Sequence, residues 1–436
     1  MTRRKIAVIG SGVSGITASY VLSHSDYVTM FEADGRLGGH ADTHLVTPPA
    51  GPPIGVDTGF IVYNESTYPL LTRMFGELGV DTQPSEMSMS VRCAGCGLQY
   101  AGRRGLGGLT PALAHGRALD RARYLRMLTE IARFHRAARR HLTEELPAAG
   151  ESQPDQTFGQ FLRARRFGDY FTAHFALPLV AAVWSCPPGT ALRYPARYLF
   201  AFLANHGMLA VSGSPPWRTV TGGSRGYVER AAKRLHDIRL STPVHAVRRQ
   251  PDGVELRDAS GETHRFDAVV IATHPDQALR LLDGPTPAER DVLGAFAYTR
   301  NPALLHTDAT LLPRRRAIRA SWNYEIGGCR PGAGPAPRIS YDMNRLQSLP
   351  TAQDYIVTLG GEGGAGGGRR VAEECVIDRM DYEHPAYTPA SVAAQRRLPE
   401  LNTGVTAFAG AYHGWGFHED GCRSGVQAAR ALGGTW

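Results

Sequence analysis

The chain opens on a short, nearly unbroken apolar run at residues 5–9 (KIAVI), without the alternation of a half-exposed strand. Such a run of β-branched and aliphatic residues predicts a strand buried on both faces. A helix over Val13 to Ser23 and a second strand over Tyr27 to Phe31, ending at Glu32, complete a βαβ unit. The period then changes. Leu119, Ala122, Leu125, Leu128, Ile131, Ala132 and His135 recur at three- and four-residue spacing with arginines opposite them, predicting one long helix over 113–146. A loop over 147–154 and a helical region over Phe158 to Val183 follow, closed by the break Cys186-Pro-Pro-Gly189. Strands return at Val244–Val247, Val254–Leu256 and His264–Phe266, separated by the turn sequences Pro251-Asp-Gly253 and Ser260-Gly261. Residues 267–273 read as a second fully buried strand. Residues 290–395 are mixed, with strands near Arg319–Tyr324 and Tyr355–Leu359 and a glycine-rich loop at 360–368. A strand at Val405–Phe408, a glycine-and-aromatic loop at 410–421 and a helix over Cys422 to Leu432 close the chain.

Strand material near both ends and at 240–273, interrupted by helical segments, predicts an α/β fold with two lobes. The expected division is a discontinuous Rossmann-like nucleotide domain from 1–75, 216–285 and 396–436. An inserted α+β substrate domain is drawn from 76–215 and 286–395. A chain of 436 residues is long enough for two cores.

Composition narrows this little. Hydrophobic residues are 42% and charged residues 20%, a globular balance that excludes disorder. There is no apolar run of spanning length. The basic start followed by apolar residues resembles a signal peptide, but Gly10, Gly12 and Gly15 break the stretch, so cytoplasmic residence is expected. The net charge of +8 is carried by arginine, since Lys5 and Lys233 are the only lysines. A solvated surface accounts for it, with peripheral attraction to an anionic membrane or an acidic substrate as the functional reading. No basic run is interleaved with aromatics, so nucleic acid is not an expected partner. Of six cysteines only Cys93 and Cys96 have ligand-like spacing. A single pair specifies no zinc site, so reduced structural thiols and no metal are expected.

The chemistry begins at Gly10-Ser-Gly12-Val13-Ser14-Gly15, a G-x-G-x-x-G turn that follows a strand and opens a helix. The first glycine makes the turn, the second admits a pyrophosphate, and the third lets helix and strand pack closely. Glu32, with Ala33 after it, stands where a carboxylate binds a ribose hydroxyl. Its continuation through Arg36 to Gly38-Gly39-His40 adds a second glycine pair, which suits a long extended cofactor such as FAD better than a nicotinamide dinucleotide.

Together with this fingerprint, several segments carry a resemblance: 56–64, 85–91, 182–186, 205–207, 217–224, 321–324, 343–347 and, most specifically, 410–421. The chain resembles the flavin-containing amine oxidase and phytoene desaturase superfamily. More narrowly, it is similar to predicted NAD/FAD-binding proteins associated with cyclopropane-fatty-acyl synthases. The resemblance implies that Gly410, Gly416, Phe417, His418, Glu419 and Gly421 lie at the flavin ring, with the covering helix beginning at Ser424-Gly425. It further implies that Asp57, Thr58, Gly59 and Phe60 line the flavin from the other side, and that Val244 and Thr273 meet the cofactor. There are two departures. His40 stands where the superfamily has arginine, which would shift pyrophosphate neutralisation to Arg36. Phe417 stands where amine oxidases often have a cage tyrosine, and no lysine is placed for the flavin.

His206, His413 and His418 are candidate acid–base groups, and Tyr63 and Tyr324 candidate donors. The expected function is FAD-dependent dehydrogenation, or redox-neutral double-bond isomerisation, of an apolar unsaturated substrate such as a fatty acyl chain or isoprenoid. Two alternatives stay open: an amine oxidase of secondary metabolism, and a flavin-binding partner of a lipid methyltransferase.

Overall fold

A computed structural model describes residues 3–102, 118–144, 156–209, 215–331, 337–360 and 370–436. At its base lies a five-stranded parallel sheet, in the order Thr406–Phe408, Ala268–Ile271, Lys5–Ile9, Tyr27–Phe31 and Asp237–Arg239. Ile6 pairs with Ala268 on one side and Val28 on the other, so the first strand is central. Alternate residues go to opposite faces. Ile6, Val8, Val28, Met30, Ala268 and Val270 pack under the helices Val13–Leu22 and His418–Ala431. Ala7, Ile9, Phe31, Val269 and Ile271 pack against the antiparallel sheet of Val244–Gln250, Gly253–Asp258 and Thr263–Phe266 and the helices beyond it. Both faces are covered, which is why these strands read as continuous apolar runs. Each fully buried aliphatic side chain there contributes about 1.5–3 kcal/mol.

The second sheet has seven strands: Val376–Ala386, Ala297–His306, Ile356–Leu359, Arg338–Asp342, Trp322–Ile326, Met89–Cys93 and Gln99–Gly102 in spatial order. Its pairings are antiparallel except that Met89–Cys93 runs parallel to Trp322–Ile326. A helical layer packs beside it around Phe134, whose ring meets Phe158, Phe161, Phe171 and Phe200. The strands of the first sheet all come from the segments expected to bind nucleotide, and those of the second from the segments expected to bind substrate. One ladder, Thr82–Ser85 with Trp217–Val220, joins the two sets.

Three expectations are corrected. The helical region over 158–183 is interrupted once, after Phe158–Ala164, because Gly168 is extended and starts a second helix over 169–184, which carries a π-helical turn at Thr172–Ala176. The closing helix begins at His418, not Cys422, with Phe417 and Asp420 bonded at its start. The strands Ala297–His306 and Val376–Ala386, the longest in the structure, were hidden by polar residues on both of their faces. The long helix is described over Ala118–Thr143, and the rest of its expected span lies outside the described residues.

Candidate active site

The glycine turn after the first strand is held by the Gly10 amide, which donates to Phe31 O at 2.8 Å. Gly10 has φ +95°, and a Cβ there would sit 2.9 Å from Ala272 O, so the turn tolerates glycine alone. At Gly15 a Cβ would fall 1.9 Å from Gly10 O, which lets helix and strand meet. Gly12 is different. A Cβ there would meet nothing within 4 Å, because this residue faces a cavity of about 1140 Å³.

The cavity runs from Glu32 and Val244, past Gly12 and Gly39, to Phe417 and Trp184. Glu32 is aimed by its neighbours: Oε2 accepts from Ser11 N at 2.8 Å and Ser11 Oγ at 2.5 Å, and Oε1 from Asp34 N at 2.9 Å. The double-glycine strap lies under the turn, with Gly38 N donating to Ser11 O at 3.1 Å. From there the strap reaches the next segment through Thr58 N to Asp42 O, 2.9 Å, and Phe60 N to His40 O, 2.7 Å. Arg36 lines the cavity, but its guanidinium is also held by Gly39 O and Asp42 Oδ2, both at 2.9 Å, so it braces the strap. Burial, with His384 and His274 nearby, holds His40 well below 6.5, hence neutral. Its Nε2 is buried without a partner, a position that a cofactor atom would satisfy.

The first and closing helices meet beside the cavity. A Cβ at Gly421 would lie 2.5 Å from Val13 Cγ1, and one at Gly425 2.4 Å from Ser14 O, so the closing helix sits directly on the first helix. Phe417 and His418, at the start of this helix, line the cavity, so a helix N-terminus, a setting that favours negative charge, borders it. Glu419 does not face that space. Its two oxygens accept from Leu70 N at 3.1 Å and Leu71 N at 3.0 Å, satisfying the start of the helix Pro69–Leu78. His418 stacks on Phe60 at 3.7 Å and lies 3.2 Å from the Tyr227 hydroxyl, and burial pushes it down to about 3. Phe417 stacks on Phe202 at 4.6 Å, and Trp184 Nε1 donates to Trp415 O at 3.1 Å.

Most of the expected cofactor positions therefore border one cavity: Gly10, Gly12, Val13, Ser14, Glu32, Ala33, Arg36, Gly39 and His40 at one end. Thr58, Gly59, Phe60, Val244, Thr273, Gly410, Gly416, Phe417 and His418 complete its wall. Gly15, Gly38 and Gly421 do not line it and serve packing instead.

Of the expected acid–base groups and donors, His418 borders the cavity, whereas His206, His413, Tyr63 and Tyr324 do not. His206 is buried at the end of the helix Ala196–Asn205, its Nδ1 bonded to Phe202 O at 3.0 Å and its ring stacked on Phe202. Burial, with Arg423 nearby, pushes His413 down to about 3, and its Nε2 has no partner. Tyr63 packs edge-on against Phe75, and Tyr324 is buried outside the cavity, which its strand neighbour Trp322 lines. Lys5 and Lys233 are also outside it. The sequence reading missed the long strand Val376–Ala386, which supplies Tyr382 and His384. Tyr382 Oη donates to Asp42 Oδ2 at 2.8 Å and lies 2.6 Å from Thr58 Oγ1. It also missed His44, between Asp42 at 3.4 Å and Asp378 at 2.9 Å. Alternation in Asp378, Met380, Tyr382 and His384 was the available signal.

A ribose-aimed carboxylate, an open glycine turn, an unpaired buried imidazole nitrogen and a helix terminus all share one elongated cavity. They fit FAD and define an FAD-dependent oxidoreductase. The chain belongs to the flavin containing amine oxidoreductase family, whose model matches residues 13–304. It is 27% identical over 411 residues to a coproporphyrinogen III oxidase of Mycobacterium tuberculosis, covering 83% of each chain. Its fold is similar to that of a putrescine oxidase, with TM-score 0.67, 16% identity and 99% and 98% coverage. It is also similar to a CLA-producing fatty acid isomerase from P. acnes, with TM-score 0.66, 15% identity and 98% coverage of both chains. Among the described residues no helix is long and apolar enough to cross a membrane.

Proposed function

We propose that the protein dehydrogenates, or isomerises a double bond in, an apolar unsaturated substrate such as a fatty acyl chain or isoprenoid. The observation that carries this reading is the wall at the Phe417 end of the cavity. Val62, Val183, Trp184, Trp322 and Trp415 join Phe417 there, and no lysine lines it. Such a wall excludes water and orients an apolar chain while leaving an ammonium group without a counter-charge. Bound FAD supplies hydride transfer. The chain's own part is to hold the cofactor along the glycine turn and strap, to keep the site dry, and to offer the helix terminus to developing negative charge. His418, neutral and stacked on Phe60, acts as packing rather than as a base.

A second reading, dehydrogenation of a porphyrinogen, is favoured by the relationship to the mycobacterial coproporphyrinogen III oxidase over 83% of the chain. Anaerobic addition of lipid extracts, coproporphyrinogen III or simple amines to the FAD-loaded protein separates the readings. Flavin bleaching by a lipid fraction, or a lipid isomer found by mass spectrometry, supports the first. A fluorescent porphyrin supports the second. Bleaching by amines alone, with peroxide in air, sinks both. A flavin that stays oxidised with every substrate and a double bond that never moves would favour a role as a non-catalytic methyltransferase partner.

A further inference from the structure

The Cys93/Cys96 pair meets two more ligands in the fold. Cys93 ends the strand Met89–Cys93, pairing with Ile326 of the neighbouring strand, and Cys96 follows in a tight turn. That turn is closed by Cys93 N to Leu98 O at 2.9 Å and Gly97 N to Cys93 O at 3.0 Å. Three residues beyond Ile326, Cys329 is pressed against it: a Cβ at Gly95 would lie 3.3 Å from Gly328 Cα and 3.6 Å from Cys329 Sγ. His174 arrives from the helical layer, on the π-helical turn Thr172–Ala176, and is fully buried.

We propose that Cys93, Cys96, His174 and Cys329 form a structural zinc site. The four ligand atoms all lie within 4.8 Å of one another. Cys93 Sγ is 3.8 Å from Cys329 Sγ, and Cys96 Sγ is 3.6 Å from His174 Nε2. Zinc bonds of about 2.3 Å to sulfur and about 2.0–2.1 Å to nitrogen, at tetrahedral angles, give edges of about 3.8 and 3.5 Å. The imidazole is prepared for this role. A carbonyl can only accept, so His174 Nδ1 donates to Tyr170 O at 2.8 Å, leaving Nε2 with its lone pair facing the sulfurs. Tyr170 stacks on the ring at 3.9 Å, and Tyr100 donates to His174 O at 2.7 Å. A disulfide between Cys93 and Cys329 would account for neither Cys96 nor the placement of His174.

Loading is an ion exchange: Zn²⁺ binds, three thiols release three protons, and the histidine stays neutral. Four protein ligands leave no open position, so the site is structural. It ties the edge of the seven-stranded sheet to the helical layer. The segment after His174, Leu177–Trp184, ends in the cavity wall at Val183 and Trp184. Sequence spacing could not show it, because the third and fourth ligands come from two other parts of the chain.

The test is elemental analysis by plasma mass spectrometry on the FAD-loaded protein from zinc-supplemented cells, with thiols counted in denaturant plus chelator. The expected result is one zinc per chain with all six cysteines reactive. Cys96→Ser and His174→Ala should lower zinc occupancy at least roughly tenfold, while Cys375→Ser leaves it unchanged. Should those variants fail to fold, wild-type protein grown on cobalt should show the visible bands of tetrahedral cobalt thiolate. A metal-free protein with four reactive thiols, or with six thiols and no cobalt uptake, would overturn the site. Iron in place of zinc would overturn the assignment of the metal.

Discussion

Asp57 and Gln347 exchange two hydrogen bonds: Asp57 N donates to Gln347 Oε1 and Gln347 Nε2 donates to Asp57 Oδ2, both at 2.9 Å. The other carboxylate oxygen accepts from Thr43 Oγ1 at 2.6 Å and Ser224 Oγ at 2.8 Å. Asp57 is thus turned away from the cavity and holds Thr58 to Phe60 in its wall. Gln347→Ala removes a donor from a buried carboxyl, a loss of about 1–3 kcal/mol. The melting temperature should fall by a few degrees, with faster FAD loss on dilution read by flavin fluorescence. Burial pushes Asp57 up to about 6, so between 3.8 and 6 the folded chain holds a proton that the unfolded chain has released. Its contribution to stability therefore falls as pH climbs through that window.

Gly12 and Gly15 should fail in different ways. Gly12→Val places its side chain in open space, so the protein should fold and melt normally without cofactor. FAD should bind roughly ten- to a hundredfold more weakly, as expected of about 1–3 kcal/mol of crowding. Gly15→Val meets Gly10 O and should destabilise the apoprotein itself. Equal melting temperatures for both variants would contradict this division of roles.

His44 is a test of charge in the wall. The Asp42 carboxylate, 3.4 Å from Nε2, and the Asp378 carboxylate, 2.9 Å from Nδ1, raise it above 6.5 against the pull of burial. A raised basic group stabilises the fold fully below 6.5, and the contribution disappears as pH rises through the folded value. The melting-temperature difference between wild type and His44→Gln should shrink from about pH 6 to about pH 9. A constant difference would mean that His44 carries no charge.

His206→Gln should leave kcat within about twofold, because the ring packs on Phe202 outside the cavity. A fall of a hundredfold or more, on the order of 2.7 kcal/mol, would restore it as a catalytic group.

Glu419→Ala strips two acceptors from Leu70 and Leu71 and should lower stability by about 1–3 kcal/mol by denaturant titration. The variant should keep its flavin spectrum, since Glu419 points away from the cavity.

These cases show which parts of the fold were legible in the sequence. The βαβ unit over 5–31 could be read residue by residue, because strand, turn and helix are each specified by neighbours along the chain. The parallel pairing of Met89–Cys93 with Trp322–Ile326 could not, since only side-chain packing between distant segments selects it. Within the site, residue chemistry was visible but direction was not. Glu32 and most of the glycines follow from backbone position, which the turn determines, and they reached the cavity, while Gly15, Gly38 and Gly421 went to packing. Histidines and tyrosines act through where their side chains point, and that depends on helix ends such as the one that turns His206 toward Phe202.

The contact of Gly421 and Gly425 with Val13 and Ser14 also sets a timetable. On the ribosome, roughly 400 residues at about 5–20 residues per second separate the emergence of the two helices, or on the order of 20–80 s. Throughout that interval the nascent protein presents a glycine turn without its lid. Stable FAD capture therefore waits for the second of these helices, and FAD that arrives earlier meets a site without its cover.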